Sequence, residues 1–172
     1  MEKSCIRIEK ENPFDVLLPK LTGKIFHVSR KINLEQIELS GKIKPSNGGD
    51  FITTFGSKSY FGNKGCICLF DYRDIDNEKS QKFIHRCRPT DPLMNGNEIV
   101  IFMLSERLYS NVLPWNEWEN NGGGTNVVPY VEVGYPGEIY LSDIDHMITV
   151  SYEEDKDSMS YKMRTILNNA KH

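Results

Sequence analysis

Six consecutive apolar residues, Ile99 to Leu104 (IVIFML), constrain this chain more than any other stretch. Side chains on a strand alternate between its two faces. A strand that is apolar at every position must therefore be covered on both sides, as in the middle of a layered fold. A chain of 172 residues can supply that cover from one domain, residues 1–172, with its own core. Further strands are predicted over 24–29 (KIFHVS), 65–72 (GCICLFDY), 127–134 and 146–152. The pattern predicts an α+β fold. Two small, mostly antiparallel sheets pack together, with short helices at their flanks.

One helix has well-marked ends. Asn33 fits its N-cap, Gln36 completes a capping box, and Ile32 and Ile37 occupy the positions of a hydrophobic staple. Gly41 fits the C-terminal stop, and Leu34 and Ile37 face inward. A short helix is expected over Ser105 to Leu113, and a short strand over Lys82 to Arg88 after a polar stretch. Residues 1 to 22 show only Ile6, Ile8, Val16 and Leu17, a short strand or packing arm. Residues 46–50 and 51–64 read as loop or turn. The triple glycine within WNEWENNGGGTN (115–126) marks a mobile loop, either a lid or a plain surface connection. A last helix would carry Met159, Met163, Ile166 and Leu167 on its apolar side.

Composition narrows the function classes. The net charge of −3 gives no general case for nucleic-acid binding. No apolar run approaches the ~20 residues needed to span a bilayer. The N-terminus has no apolar core of a secretory signal, so a cytoplasmic location with no membrane partner is expected. Cys66, Cys68, His85 and Cys87 form a conceivable zinc set, but zinc-binding cysteine pairs usually have two to four residues between them and sit on turns. Cys66 and Cys68 instead share one side of a strand and read as buried, inert thiols. No metal is predicted.

The stretch VVPYVEVGYPGEIYLSDIDH (127–146) is the most unusual chemically. Alternation points Val127, Val131 and Val133 into a core, and Tyr130, Glu132 and Gly134 the other way. A strand glycine often marks a close approach by a ligand or another backbone. Glu132 is then either a solvated edge carboxylate or part of a site.

Taken in order, KIFHVSRKINLEQIELSGKI, GSKSYF followed by GCICLFDY, and VPYVEVGYPGEIYLSDI resemble the ADP-ribosyltransferase superfamily, nearest to its DarT-type and PARP-like branches. The resemblance is carried by short motifs spread over residues 24 to 150. It implies the fold of that family and the use of NAD as substrate. It implies that His27 holds the adenosine ribose and that Ser29 lies beside the nicotinamide amide. Tyr60 would stack on nicotinamide, with Ser57, Ser59 and Phe61 competing for this middle position. Glu132 would contact the nicotinamide ribose as the catalytic residue. The acceptor is open between protein and nucleic acid, and the resemblance extends to bacterial or phage toxins and defence effectors.

The residue types suit that chemistry. Breaking a glycosidic bond builds positive charge on the sugar, as in glycoside hydrolysis. A carboxylate stabilises that charge. A histidine supplies directed hydrogen bonds to hydroxyls, and an aromatic ring supplies a flat wall. Two other classes compete. An RNA 2′-phosphotransferase using NAD needs cations around a phosphate, for which Lys58, Lys64, Arg86 and Arg88 are the candidates. A binding module that has lost catalysis would use the Trp115–Trp118 loop, since Trp is enriched at binding hot spots.

Overall fold

The computed structural model describes residues 1–9, 11–45, 59–87, 89–90, 97–117 and 127–153, with Met159 and Lys162. The expected loop over 46–58, residues 118–126 of the glycine-rich loop, and Met163, Ile166 and Leu167 lie outside the described residues.

The chain opens with β1 (Glu2–Ile8) and α1 (Pro13–Leu21). Asn12 caps α1 by accepting from Phe14 N–H, and Pro13 takes the first helical position, where its missing N–H costs nothing. Next come β2 (Ile25–Arg30), α2 (Leu34–Ser40), β3 (Lys42–Ile43), α3 (Tyr60–Asn63) and β4 (Cys66–Asp71). They are followed by α4 (Glu78–Ile84), β5 (Glu98–Leu104), β6 (Glu132–Pro136), β7 (Ile139–Tyr140) and β8 (Ile144–Tyr152).

The fold is α+β, but its strands divide unequally. One six-stranded sheet has the order β1-β8-β5-β2-β4-β6, and β3 and β7 form a separate two-stranded ribbon. β1 joins β8 in parallel, and the other neighbours in the large sheet are antiparallel. β5 lies in its interior, where Ile99, Val100, Ile101 and Phe102 are all 0% exposed. Phe26, Phe70, Ile101 and Val150 pack on one side with Leu17 and Leu21 of α1 and Ile84 of α4. Ile25, Leu69, Phe102 and Val133 pack on the other with Leu34 and Ile37 of α2 and with Ile43 and Ile139 of the ribbon. The continuous apolar run thus reflects cover on both faces.

Several local expectations change. Lys82 to Ile84 are helical because Asn77 caps α4, accepting from Lys79 N–H, and Ser80 and Ile84 turn one face inward at helical spacing. Asn33 is itself helical and makes no cap bond; its side chain donates to Ser29 Oγ at 3.1 Å instead. Ile32 is 69% exposed, so there is no staple. Gly41 does end α2, in the left-handed region at φ 68° that glycine enters without penalty. Residues Glu106–Asn111 form a 3-10 helix. Among the described residues no helix is long and apolar enough to cross a membrane.

Candidate active site at a fork in the sheet

β2 and β4 pair only at Ile25–Asp71 and Phe26–Phe70. Beyond those pairs, β2 continues along β5 to Arg30, and β4 continues along β6 to Cys66. The sheet therefore forks. Two further register steps would bring Val28 opposite Cys68. The pairing has stopped by then, and the Cys68 carbonyl instead lies 2.9 Å from His27 Nδ1. A carbonyl only accepts, so Nδ1 carries the proton and Nε2 keeps a lone pair for another donor. Burial holds the imidazole below its ordinary value, against the opposing effect of the carbonyl bond, so His27 is neutral at pH 7.

The strand carrying Glu132 begins later than alternation predicts. Residues 129–131 form a turn, and both Val131 N–H and Glu132 N–H donate to the Val128 carbonyl. Tyr130 occupies the left-handed region at φ 62°, a strained position for a bulky residue. Its ring is held by Trp115 at 4.4 Å and Phe83 at 5.9 Å between centroids. Glu132 itself clamps the turn, with Oε2 accepting from Val128 N–H at 3.2 Å. Oε1 accepts from the Ser59 hydroxyl at 3.3 Å. Burial pushes the carboxyl above its ordinary value, while these two hydrogen bonds pull the other way.

Ser59 is placed by α3, which it caps by accepting from Gly62 N–H at 3.4 Å. Its hydroxyl also lies 2.9 Å from Cys68 Sγ. Phe61 on the same helix is 0% exposed and presses on Gly134. A methyl group at Gly134 would lie 2.2 Å from Phe61 Cδ1. The close approach expected at this glycine is thus made by a side chain of the protein itself.

The structure brings Ser59 and Glu132 into contact and joins His27 to them through Cys68. Where the strands are paired, Glu132 stands opposite Phe70 and His27 opposite Phe102, so these two side chains leave the sheet on opposite faces. The fork, with β4 as its shared strand, lies between them. Ser29 follows His27 on its face and is buried, its hydroxyl accepting from Asn33. Tyr60 is half-buried, edge-on to Phe61 at 5.2 Å with Lys64 over its ring, and among the described residues no hydrogen bond joins it to Glu132. Ser57, Lys58 and Arg88 lie outside the described residues. Arg86 stands over Phe83 and Lys64 over Tyr60, on two different rings. Among the described residues, no group of three or more His, Cys, Asp or Glu is placed to hold a metal ion.

Sequence reasoning ranked Tyr60 above Ser59. A serine directly before a short helix is a cap signature, and that signal could have reversed the order. Two further groups were missed. One is Cys68, whose carbonyl and thiol face the two halves of the site. The other is Arg30, three residues beyond His27, whose buried Nε has no hydrogen-bond partner among the described residues.

Compared with protein-family models, curated proteins and solved structures, the chain matches none.

Proposed function

We propose that this protein is an NAD-dependent ADP-ribosyltransferase that cleaves the nicotinamide–ribose bond and passes ADP-ribose to a protein or nucleic-acid acceptor. The observation that carries the reading is the contact of two separated motifs at the fork, with the third attached to the same strand from the opposite face of the sheet. Ser59 and Glu132, 73 residues apart, meet on one side of β4, and His27 is fixed to the same strand at Cys68. The dinucleotide would lie across the fork, its adenosine ribose at His27 and its nicotinamide ribose at Glu132. Ser29 and Tyr60 are the assigned binding neighbours, with Ser57 kept as the alternative in the middle motif.

The side chains fit such a ligand. The free Nε2 of His27 accepts from a ribose hydroxyl. Glu132, held from both sides, offers negative charge where positive charge develops on the sugar. It does so without reorganising, which is the condition for strong electrostatic catalysis. The buried Nε of Arg30 lacks an acceptor among the described residues, and an anionic group such as a diphosphate would supply one. Within this reading the protein works in the cytoplasm, as a toxin or defence effector.

The test is nicotinamide release from NAD by the purified protein, with and without a cell extract that supplies acceptors. Release that increases with extract supports transfer. No NAD binding and no release in either condition would sink the reading.

A further inference from the structure

We propose that Cys68 is the positioning residue of this site, its thiol acting through the Ser59 hydroxyl to keep Glu132 ionised and aimed. The proposal rests on the reading of Glu132 as the catalytic group.

The hydrogen-bond inventory at Ser59 carries the argument. Its oxygen has one proton to donate and two lone pairs to receive. Three groups face it: Gly62 N–H at 3.4 Å, Glu132 Oε1 at 3.3 Å and Cys68 Sγ at 2.9 Å. An ionised Glu132 can only accept, so the Ser59 proton goes to it. Gly62 N–H, shared with the Cys68 sulfur, faces one lone pair, and the Cys68 S–H donates into the other. Every donor and acceptor is then satisfied with the charge on Glu132. When Glu132 takes up a proton, the chain reverses: the carboxyl donates to Ser59, and Ser59 donates to sulfur. The thiol is thus the end group that selects the direction of the chain.

Its surroundings suit that task. Cys68 stands opposite Gly134 in the neighbouring strand. Burial pushes its thiol up to about 11, so at neutral pH it is a donor and not a thiolate. Among the described residues, the groups facing Glu132 are Ser59 at the head of α3, Val128 in the turn, Cys68 on β4 and Cys87 after α4. None of them is charged at neutral pH, since burial also pushes the Cys87 thiol up to about 12. The direction of one hydrogen-bond chain can therefore bias the carboxyl. Replacing the Cys68 side chain leaves its carbonyl on His27, so the thiol is tested alone.

The experiment is an NMR titration of the Glu132 carboxyl carbon in wild type, Cys68→Ala and Cys68→Ser, paired with NAD turnover. In Cys68→Ala the Glu132 titration should move upward by about half a pH unit, and turnover should fall about two- to tenfold, the scale of one neutral hydrogen bond. Cys68→Ser, which keeps a donor in place, should restore most of both. In a Ser59→Ala background, Cys68→Ala should add no further shift, because the link is already cut. If Cys68→Ala folds poorly, Cys68→Val, which fills the space of the thiol without a donor, takes its place and should give the same upward shift. A Glu132 titration unchanged by Cys68→Ala, or an equal effect with Ser59 absent, overturns the proposal. If the titration moves as expected but wild type never turns over NAD, the thiol's role stands and the transferase reading fails. If wild type turns over NAD and the titration does not move, the reverse holds.

Discussion

Gly134→Ala is the sharpest probe of how the site is built. A methyl group there would lie 2.2 Å from Phe61 Cδ1 and 2.8 Å from Cγ and Cε1. Carbon atoms normally rest about 3.5–4.0 Å apart, so something must give by more than ~1 Å. Phe61 is 0% exposed and has no solvent to move into. The strand is held as well. Gly134 pairs with Cys68 on one side, and on the other it exchanges hydrogen bonds of 2.7 and 3.0 Å with Leu113. Overpacking of this kind costs about 1–3 kcal/mol. Gly134 does not have a positive φ, so without Phe61 an alanine here would stabilise the fold by ~0.4–1 kcal/mol through the unfolded chain.

We therefore expect a net loss near 2 kcal/mol, since the clash is severe and both partners are fixed. For a chain of this size that lowers Tm by roughly 4–8 °C. Urea unfolding should show a lower midpoint with an unchanged slope. Phe61→Leu combined with Gly134→Ala should recover part of the loss, with a coupling of about 1 kcal/mol or more in the double-mutant cycle. Displacing Phe61 also shifts α3 and its cap Ser59, so turnover should drop along with stability. Gly134→Ala as stable as wild type, or more stable, would falsify this account of the glycine.

Other outcomes follow from the same geometry. His27→Ala should raise KM for NAD as well as lower kcat, because it removes a group that binds the ribose; calorimetric titration with NAD checks the binding part. Burial raises the Glu132 pKa. The resulting stability is present at low pH and is lost as pH rises through that raised value. Denaturation of wild type and Glu132→Gln across pH should therefore show the variant gaining relative stability as pH rises. His27 has the opposite sense. Its depressed pKa means stability is lost as pH falls below the ordinary 6.5, and His27→Asn should flatten that acid limb. Ser59→Ala should lower kcat about tenfold by removing one of the two hydrogen bonds on Glu132, with KM nearly unchanged; steady-state kinetics decides it.

Sequence patterns were most legible where one physical demand dominates. The run Ile99–Leu104 could be read because a strand inside a covered sheet tolerates no polar position, and β5 is buried throughout. Gly41 could be read because a left-handed helix stop nearly requires glycine. α1 and α4 escaped because their signals are Asn caps, Asn12 and Asn77, placed before helices of mixed polarity. The start of β6 escaped because valine alternation continues through a turn that Tyr130 enters with positive φ and Glu132 clamps with its own side chain. Gly134 was recognised as a point of close approach, yet periodicity holds no information about what approaches from 73 residues away. The contact between Ser59 and Glu132 is long-range in the same sense, and a cap residue's second partner cannot be read from its neighbours. The fork between β2 and β4 depends on where pairing stops, and both strands keep an ordinary alternation through it.

The central claim is that Glu132 carries turnover of NAD. The most direct measurement compares nicotinamide release by wild type and Glu132→Gln under saturating NAD, with NAD binding measured on both. Gln preserves length and can still accept from Val128 N–H, so the variant should fold and bind NAD. Its turnover should fall by at least ~10²-fold, as expected when one pre-placed electrostatic group is removed from a reacting centre. Equal rates of release in the two proteins would contradict the account, and Glu132 would then be only the clamp of its own turn.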